Sequence, residues 1–407
     1  MERGTAFAPL KVANFRWYFL AHTVNVAGST MAPVALAFAV LEVTDSASAL
    51  GIALAAHSIP LVVFLLFGGV IADRLPRVLV MRVGNLVLAL TQGAVGVLVV
   101  TGTAELWMIV VLQAINGTTL ALSYPALAGI LPQLVPRELL QQANVLQSMA
   151  RGGLRVLGPT VGALLVVTVG PGWALVADGL AWGAAALLLV PIRLPAREPG
   201  EPTSTLAELR EGWSLFVGTT WLWAVVLAFA VLNAITSGAW FTLGPALAKD
   251  TIGEEGWGLV LSAESLGLLA TTAVMLRRRL ERPLLAGMAA ISVAGIPLVL
   301  LGADASLVPL LVAAFVAGAG IEVFSLGWAL AMQENIEERL LSRAYSYDML
   351  GSFVAMPVGQ LAYGPMGEAF GYGDVLVVSG IVYVVVALLA LTSGSVRGLR
   401  RAPVTPG

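Results

Sequence analysis

The sequence predicts an all-α membrane protein whose twelve transmembrane helices form two pseudo-symmetric six-helix bundles. Of its 407 residues, 58% are hydrophobic and only 11% are charged, whereas a soluble domain carries about 25% charged residues. Long apolar runs alternate with short polar breaks, and one longer polar segment divides the runs into six and six. This composition excludes a soluble enzyme, a disordered scaffold and a secreted disulfide-bonded module.

Each apolar run is long enough to cross a bilayer, which takes roughly 20 residues. The first six lie at about 16–41, 49–72, 78–101, 106–131, 143–169 and 172–192, and the second six at about 219–248, 256–276, 284–302, 306–331, 341–366 and 373–393. The Pro- and charge-rich segment between them predicts a linker. We therefore expect an N-terminal bundle at 1–192, a cytoplasmic linker at 193–213, and a C-terminal bundle with a cytoplasmic tail at 214–407.

The basic residues predict the orientation. With a cytoplasmic N-terminus, the inner loops and tails hold 19 of the 22 Lys and Arg residues, the outer loops hold only Lys249, and two lie within span five. This bias follows the positive-inside rule. The sequence therefore predicts a multi-pass protein of the bacterial cytoplasmic membrane with both termini in the cytoplasm.

The two halves share a faint sequence repeat. The segment 136–143 leads to Gly158 and Pro159, and the similar segment 337–344 leads to Pro357 and Gly359. Aligning the prolines requires an insertion, and chance similarity of two apolar segments is the alternative. Repeated halves with a substrate site between them are typical of alternating-access carriers.

The connection between spans two and three contains Gly69, Asp73, Arg74 and Arg77, followed by Arg82. The carboxylate could accept hydrogen bonds from a neighbouring helix N-terminus, where negative charge is favoured. We interpret these residues as a gating loop on the cytoplasmic side. The alternative is an ordinary loop that obeys the positive-inside rule.

Span five combines a proline with two closely spaced glycines. Pro159 removes a backbone donor and bends a helix, while Gly158 and Gly162 form a small face for close helix packing. We expect a bent, closely packed helix between the halves that resists leakage. The alternative is that Gly and Pro are common in transmembrane helices.

These motifs resemble those of the major facilitator superfamily. The pattern Gly69-x-x-x-Asp73-Arg74-x-x-Arg77 resembles its signature loop, with Pro76 where the family usually has glycine. The segment 157–162 is similar to a shortened antiporter motif of proton-coupled exporters, and 343–359 is similar to bacterial drug and siderophore exporters. The resemblance covers about residues 10–395 and implies the major facilitator fold, drug or siderophore export and a sufficient monomer.

Six ionisable residues fall within the predicted spans, where each is costly and indicates function. They are the proton-coupling candidates Arg151, Arg155, Asp178, Glu264, Glu322 and Asp348. In the fold that the resemblance implies, spans five and eight are neighbours, so Arg155 with Glu264 and Arg151 with Glu322 could form switchable ion pairs. A fixed structural pair is the alternative. We expect Asp178 to lie near the outer surface and to be hydrated, and Asp348 to lock a gate near the inner end.

Amide and aromatic residues within the spans are candidates for lining an apolar substrate cavity that suits an amphipathic molecule: Asn25, Gln113, Asn116, Tyr124, Asn233, Trp240 and Trp328. Core packing is the alternative for each aromatic residue. We assign Trp107, Trp173 and Trp221 to the membrane interface, where tryptophan is enriched.

The sequence lacks the residues that several kinds of chemistry require. The chain has no cysteine and only two histidines, His22 and His57, in different spans, so we expect neither a metal site nor a cofactor. No glycine-rich loop precedes a lysine, which excludes ATP as the direct driver, and the scattered basic residues argue against nucleic acid binding.

We therefore expect a transporter rather than an enzyme, acting on a small molecule in the lipid bilayer and driven by a gradient of protons or another cation. The leading hypothesis is export of hydrophobic or amphipathic molecules such as drugs, antibiotics or siderophores. An importer or facilitator of a small metabolite is the alternative on the same fold, and a membrane-embedded receptor or enzyme for lipidic ligands is the alternative from another class.

Overall fold

The structure is a computed structural model that describes residues 7–74, 76–128, 130–194, 213–275 and 280–400. The described set does not include the side chains of 65–74, 124–126, 128, 132, 137, 141, 338–339 and 342–343. The described backbone is helical with connecting turns and contains no strand. The chain divides into two compact units, residues 1–201 and 202–407.

Eleven helical segments of the described chain are long and apolar enough to cross a membrane. We call them spans one to ten and span twelve: Ala13–Thr44, Ala47–Phe64, Arg77–Val100, Leu106–Ser123, Gln142–Val169, Pro171–Leu188, Thr220–Asp250, Gly253–Met275, Pro283–Gly302, Leu307–Asn335 and Tyr372–Thr392. The helix of span two continues to Arg74, that of span four to Ala128, and that of span five begins at Leu140. Their positions confirm eleven of the twelve predicted runs.

Two spans change helix type along their length. Span seven consists of an α-helix (Thr220–Ile235), a π-helix (Thr236–Leu243) and an α-helix (Gly244–Asp250). Span nine consists of Pro283–Ile291, the 3₁₀ turn Ser292–Gly295 and Ile296–Gly302. The shorter helices are Ala8–Lys11, Leu131–Leu134, Arg137–Leu139 and Gly394–Gly398, and span twelve ends in the 3₁₀ turn Ala390–Thr392.

The predicted span eleven is divided into two helices. Glu338–Phe353 and Met356–Phe370 are separated by a turn, and neither half is long enough to be a candidate span by itself. The first half carries Arg343, Asp348 and several hydroxyl groups, so its apolar character is low. That these two helices together cross the membrane as span eleven therefore stays a prediction.

Within each unit the same relative pairs of spans pack together. In the first unit, span two packs against span four, three against six, and one against five and six. In the second unit, span eight packs against span ten, nine against twelve, and seven against both span twelve and the two helices of predicted span eleven. Numbering from the start of each unit, these are the same pairs.

Turns and close helix contacts also recur at a nearly constant separation. Gly170 (φ 93°) precedes span six and Gly371 (φ 90°) precedes span twelve, 201 positions later, and both use a backbone conformation that glycine adopts readily. Likewise Gly179 packs on the backbone of Gly93, and Gly380 packs on that of Gly295. The Gly158 and Gly359 positions are also 201 apart, so aligning these glycines removes the insertion that the prolines required.

Candidate functional site

A small cavity inside the second unit brings the Glu264 carboxyl of span eight together with side chains of spans seven and twelve. Its volume is about 40 Å³, which is room for about one water molecule. Thr236, Trp240 and Tyr383 supply the other polar groups, and the remaining lining residues are uncharged: Ala294, Pro297, Leu298, Ala317 and Ile321. A carboxyl group in such surroundings requires a proton or a cationic partner.

The π-helix of span seven positions two of these polar groups. Thr236 and Trp240 are four residues apart within it, and Thr242 donates a side-chain hydrogen bond to the Ser237 carbonyl (3.0 Å). Trp240 is 5% exposed and packs on Trp257 with a ring-centroid distance of 4.7 Å. Its indole N–H makes no hydrogen bond of ordinary geometry within the described chain. Short π segments occur frequently at functional sites.

Two members of the cavity were missed by sequence reasoning. Tyr383 and Thr236 both line the cavity, and Tyr383 is 5% exposed. The available signal was a phenol group in the middle of the apolar run of span twelve, because a buried tyrosine hydroxyl usually has a partner. Thr236 gave no such signal.

Glu322 has a partner within its own unit. Its Oε1 atom accepts a hydrogen bond from the Thr272 hydroxyl of span eight at 2.7 Å. Arg151 and Arg155 of span five both have exposed side chains. The two predicted ion pairs would join one unit to the other, and they stay predictions.

Asp348 lies in an aromatic environment. Its carboxylate accepts hydrogen bonds from the Trp328 indole (2.9 Å) and from the Ser352 hydroxyl (3.2 Å). Asn233 donates to the Ser352 carbonyl at 3.0 Å. Trp221 is 8% exposed and meets Trp328 edge-on, so it packs inside the unit, whereas Trp107 and Trp173 are exposed.

In the first unit, Asp178 anchors a chain of buried amide groups. It is 1% exposed and accepts a hydrogen bond from Gln92 Nε2 at 2.8 Å, and Gln92 in turn accepts one from Gln113 at 3.5 Å. The expectation of a hydrated Asp178 was therefore wrong. The reason is that span six packs closely on spans one and three, so that Gly28 of span one lies directly against Asp178.

Spans one and five share a second polar cluster that the sequence did not predict. Tyr18 stacks on His22 (5.8 Å between ring centroids) and lies near Gln147 of span five. Within the described chain, His22 Nε2 and Gln147 Nε2 are buried without a hydrogen-bond partner. Arg151 is close enough to act electrostatically on Tyr18 and His22.

The predicted gating loop is only partly described, because the side chains of Gly69, Asp73 and Arg74 lie outside the described residues. Arg77 is partly buried. Arg82 donates hydrogen bonds to three carbonyl groups at the end of span six: Leu189 (2.9 Å), Val190 (2.7 Å) and Ile192 (3.0 Å). Arg82 therefore ties span three to span six within the first unit.

The glycines of span five pack within their own unit. Gly158 is buried against Thr30 of span one, and a Cβ atom at Gly162 would lie 3.0 Å from the Met31 carbonyl oxygen. The helix continues through Pro159. The close contact of this motif is thus with span one, and a position between the halves stays a prediction.

The remaining cavity candidates are distributed in the first unit. Asn116 is 7% exposed and Asn25 is partly buried. The Tyr124 side chain lies outside the described residues, as does most of the predicted linker (195–212). The part of the chain that the structure describes contains no cluster of three or more metal-binding side chains.

The fold is that of a polytopic membrane protein, and ionisable groups lie among its apolar spans. Both features are typical of transporters. Residues 4–399 match a family described as transmembrane secretion effector, and the chain belongs to this family of the major facilitator superfamily.

Two relatives and one solved structure illustrate the similarity. The chain is 23% identical to macrolide efflux protein A of Streptococcus pyogenes over 92% of this chain and 95% of the relative. It is 27% identical to the enterobactin exporter EntS of Shigella boydii over 58% and 56%. The crystal structure of the nucleoside transporter NupG matches with a TM-score of 0.75 at 13% identity, covering 93% and 98%, which concerns the fold alone.

Proposed function

We propose that the protein is a proton-coupled exporter of hydrophobic or amphipathic small molecules of the drug, antibiotic or siderophore class. It would work as a monomer by alternating access in the bacterial cytoplasmic membrane, with both termini in the cytoplasm. Two pseudo-symmetric bundles, 1–192 and 214–407, would rock about the linker. The recurring span pairs and turns within the two compact units support this layout.

The observation that carries the proposal is the partly buried Glu264 carboxyl, which borders the small cavity between spans seven, eight and twelve. Its cavity holds neutral partners only, so ionisation there is costly unless a cation approaches. Arg155 is the candidate cation in one conformation, and its withdrawal in the other would favour protonation. A conformational cycle that alternates these two environments moves a proton. The names of the two relatives support export as the direction.

The test compares Glu264→Gln with Glu255→Gln, which makes the same chemical change at an exposed position. Cells that express the wild-type protein should accumulate less ethidium and should tolerate more erythromycin than cells without it, and an uncoupler should abolish both effects. Glu264→Gln should behave like cells without the protein although it is produced and folded, whereas Glu255→Gln should behave like wild type.

The possible failures have separate meanings. Uncoupler-sensitive efflux by Glu264→Gln would contradict the role of this carboxyl. Higher accumulation of either compound on expression would contradict export and favour the importer alternative. Transport of neither compound in energised cells would contradict the substrate class.

The proposed orientation has its own test, because the chain contains no cysteine. Asp250→Cys lies in a predicted outer loop and Glu281→Cys in a predicted inner loop, and both positions are exposed. An impermeant maleimide should label the first in intact cells and the second only in inverted vesicles. The reverse pattern would contradict the cytoplasmic location of the termini.

A further inference from the structure

A groove with a volume of about 300 Å³ opens on the surface of the second unit between spans seven and twelve. A water molecule occupies about 30 Å³, so the groove has room for roughly ten groups of that size. Its walls are almost entirely apolar, with hydroxyl groups at one end only: Trp223, Ala224, Leu227, Ala228, Val231, Val386, Leu389, Ala390, Thr392 and Ser393. Leu227 is 62% exposed and Leu389 is 56% exposed.

The groove has the length of one membrane leaflet. On span seven it extends from Trp223 to Val231, which corresponds to about 12 Å at the α-helical rise. Half of the hydrocarbon core of a bilayer is about 15 Å thick. The groove begins within one helical turn of Thr220, the first residue of span seven, so it runs from one interface towards the membrane centre.

The corresponding place in the first unit is closed. There Ala185, Leu189 and Ile192, at the end of span six, are buried in a core cluster that includes Phe15 and Tyr18 of span one. In addition, Asn14 at the start of span one donates a hydrogen bond to the Arg193 carbonyl (3.0 Å).

The positions 201 residues after Ala185, Leu189 and Ile192 are Val386, Ala390 and Ser393, and all three line the groove. The groove is therefore a local departure from the arrangement that the first unit uses.

Charge accumulates at the hydroxyl end. Ser393 immediately precedes the short helix Gly394–Gly398, which packs on spans seven and nine. The backbone N–H of Arg397 donates a hydrogen bond to the Ser393 carbonyl (3.1 Å), so the exposed Arg397 is one turn from the groove. Among the described residues 280–282 and 394–400, Arg282 and Arg400 are also exposed, and Glu281 is the one exposed acid. This end therefore carries an excess of positive charge.

We propose that the groove binds an acyl chain of one anionic phospholipid, whose headgroup phosphate lies against Arg397. The apolar walls fit a hydrocarbon chain of one leaflet, Trp223 stands at the depth where tryptophan meets headgroups, and the arginines favour an anionic lipid over a zwitterionic one. This site does not depend on the proposed transport activity, and its ligand is a structural lipid rather than the exported molecule.

The test measures lipid binding to the purified, delipidated full chain. Native mass spectrometry would compare phosphatidylglycerol with phosphatidylcholine of identical acyl chains. We expect one tightly retained phosphatidylglycerol molecule, and a higher thermal midpoint when it is bound. Arg397→Gln should weaken phosphatidylglycerol binding about fivefold, the effect of one basic residue near an anionic headgroup. It should weaken phosphatidylcholine binding less, because the choline cation offsets the charge of the phosphate in that lipid.

Ala224→Phe fills the groove and should remove the retained lipid. The matched control is Ala186→Phe, the same change at a partly exposed position of span six, which should retain it. Equal retention of the two lipids by the wild-type protein, or undiminished phosphatidylglycerol binding by Arg397→Gln, would overturn the proposal. Since Arg397 lies outside the spans, that variant remains decisive if Ala224→Phe does not fold.

Discussion

Replacing Arg82 should destabilise the first unit, because one side chain holds the end of span six in place. The guanidinium group donates to the carbonyl groups of Leu189, Val190 and Ile192 at 2.9, 2.7 and 3.0 Å. Carbonyl groups at a helix C-terminus have no partner within the helix, and a cation is favoured there. Arg82→Gln removes the charge and cannot reach all three acceptors.

The expected cost follows from these three bonds. A hydrogen bond to a charged group contributes about 1.5–3 kcal/mol, so three would contribute at most about 9 kcal/mol. Part of this is recovered, because Val190 is 58% exposed and its carbonyl group can bond water instead. We expect a net loss of about 2–4 kcal/mol for Arg82→Gln. Arg82→Lys should lose less, because it keeps the charge but not the planar fork of donors.

The assay is the thermal midpoint of the purified protein in detergent, followed by size-exclusion elution. Arg16→Gln is the matched control, since it removes one exposed charge near the start of span one. The midpoints should rank Arg16→Gln highest, then Arg82→Lys, then Arg82→Gln. Equal midpoints for Arg16→Gln and Arg82→Gln would refute the reasoning.

Two further substitutions test helix contacts in the second unit. Gly318→Leu should abolish the folded protein, because a Cβ atom there would overlap the backbone carbonyl of Glu264. The control Gly153→Leu should be tolerated, since nothing lies within 4 Å of its Cβ position. Equal size-exclusion elution profiles for the two variants would contradict this. Trp328→Phe keeps an aromatic side chain but removes the indole N–H that bonds to Asp348 and some buried volume. The thermal midpoint should therefore fall by the equivalent of at least about 1 kcal/mol, and an unchanged midpoint would argue that this bond contributes nothing.

The spans could be predicted from sequence because the bilayer imposes a length and a composition on each one. Irregularities within the spans could not be predicted. The π-helix at Thr236–Leu243 is not distinguished by its composition from an α-helix, and its contacts with Tyr363 and Trp257 come from other helices. The turn between Phe353 and Met356 is likewise not marked by glycine, although Pro357 follows it closely.

The ionisable residues of the candidate site could be predicted from the sequence, but the side chains that surround them could not. Glu264, Glu322 and Asp178 were found because an ionisable residue in an apolar run is conspicuous. Their neighbours Tyr383, Thr272 and Gln92 depend on which faces of distant helices meet, and periodicity in the sequence does not determine this. The same reason explains why Trp221 was assigned to the interface although it packs inside.

Asp178 and Glu264 should differ in function, although both were candidates for proton coupling. Asp178 is 1% exposed and held by Gln92, so movement of a proton on or off would require the amide chain to rearrange. Glu264 borders a cavity with room for about one water molecule, through which a proton can exchange.

Asp178→Asn should therefore keep uncoupler-sensitive efflux, because the amide oxygen still accepts from Gln92, while Glu264→Gln should lose it. Both variants would be compared in the same ethidium assay, with thermal midpoints as the folding control. Loss of coupled efflux in a stably folded Asp178→Asn would show that the proton uses the first unit, and the distinction drawn from the cavity would be wrong.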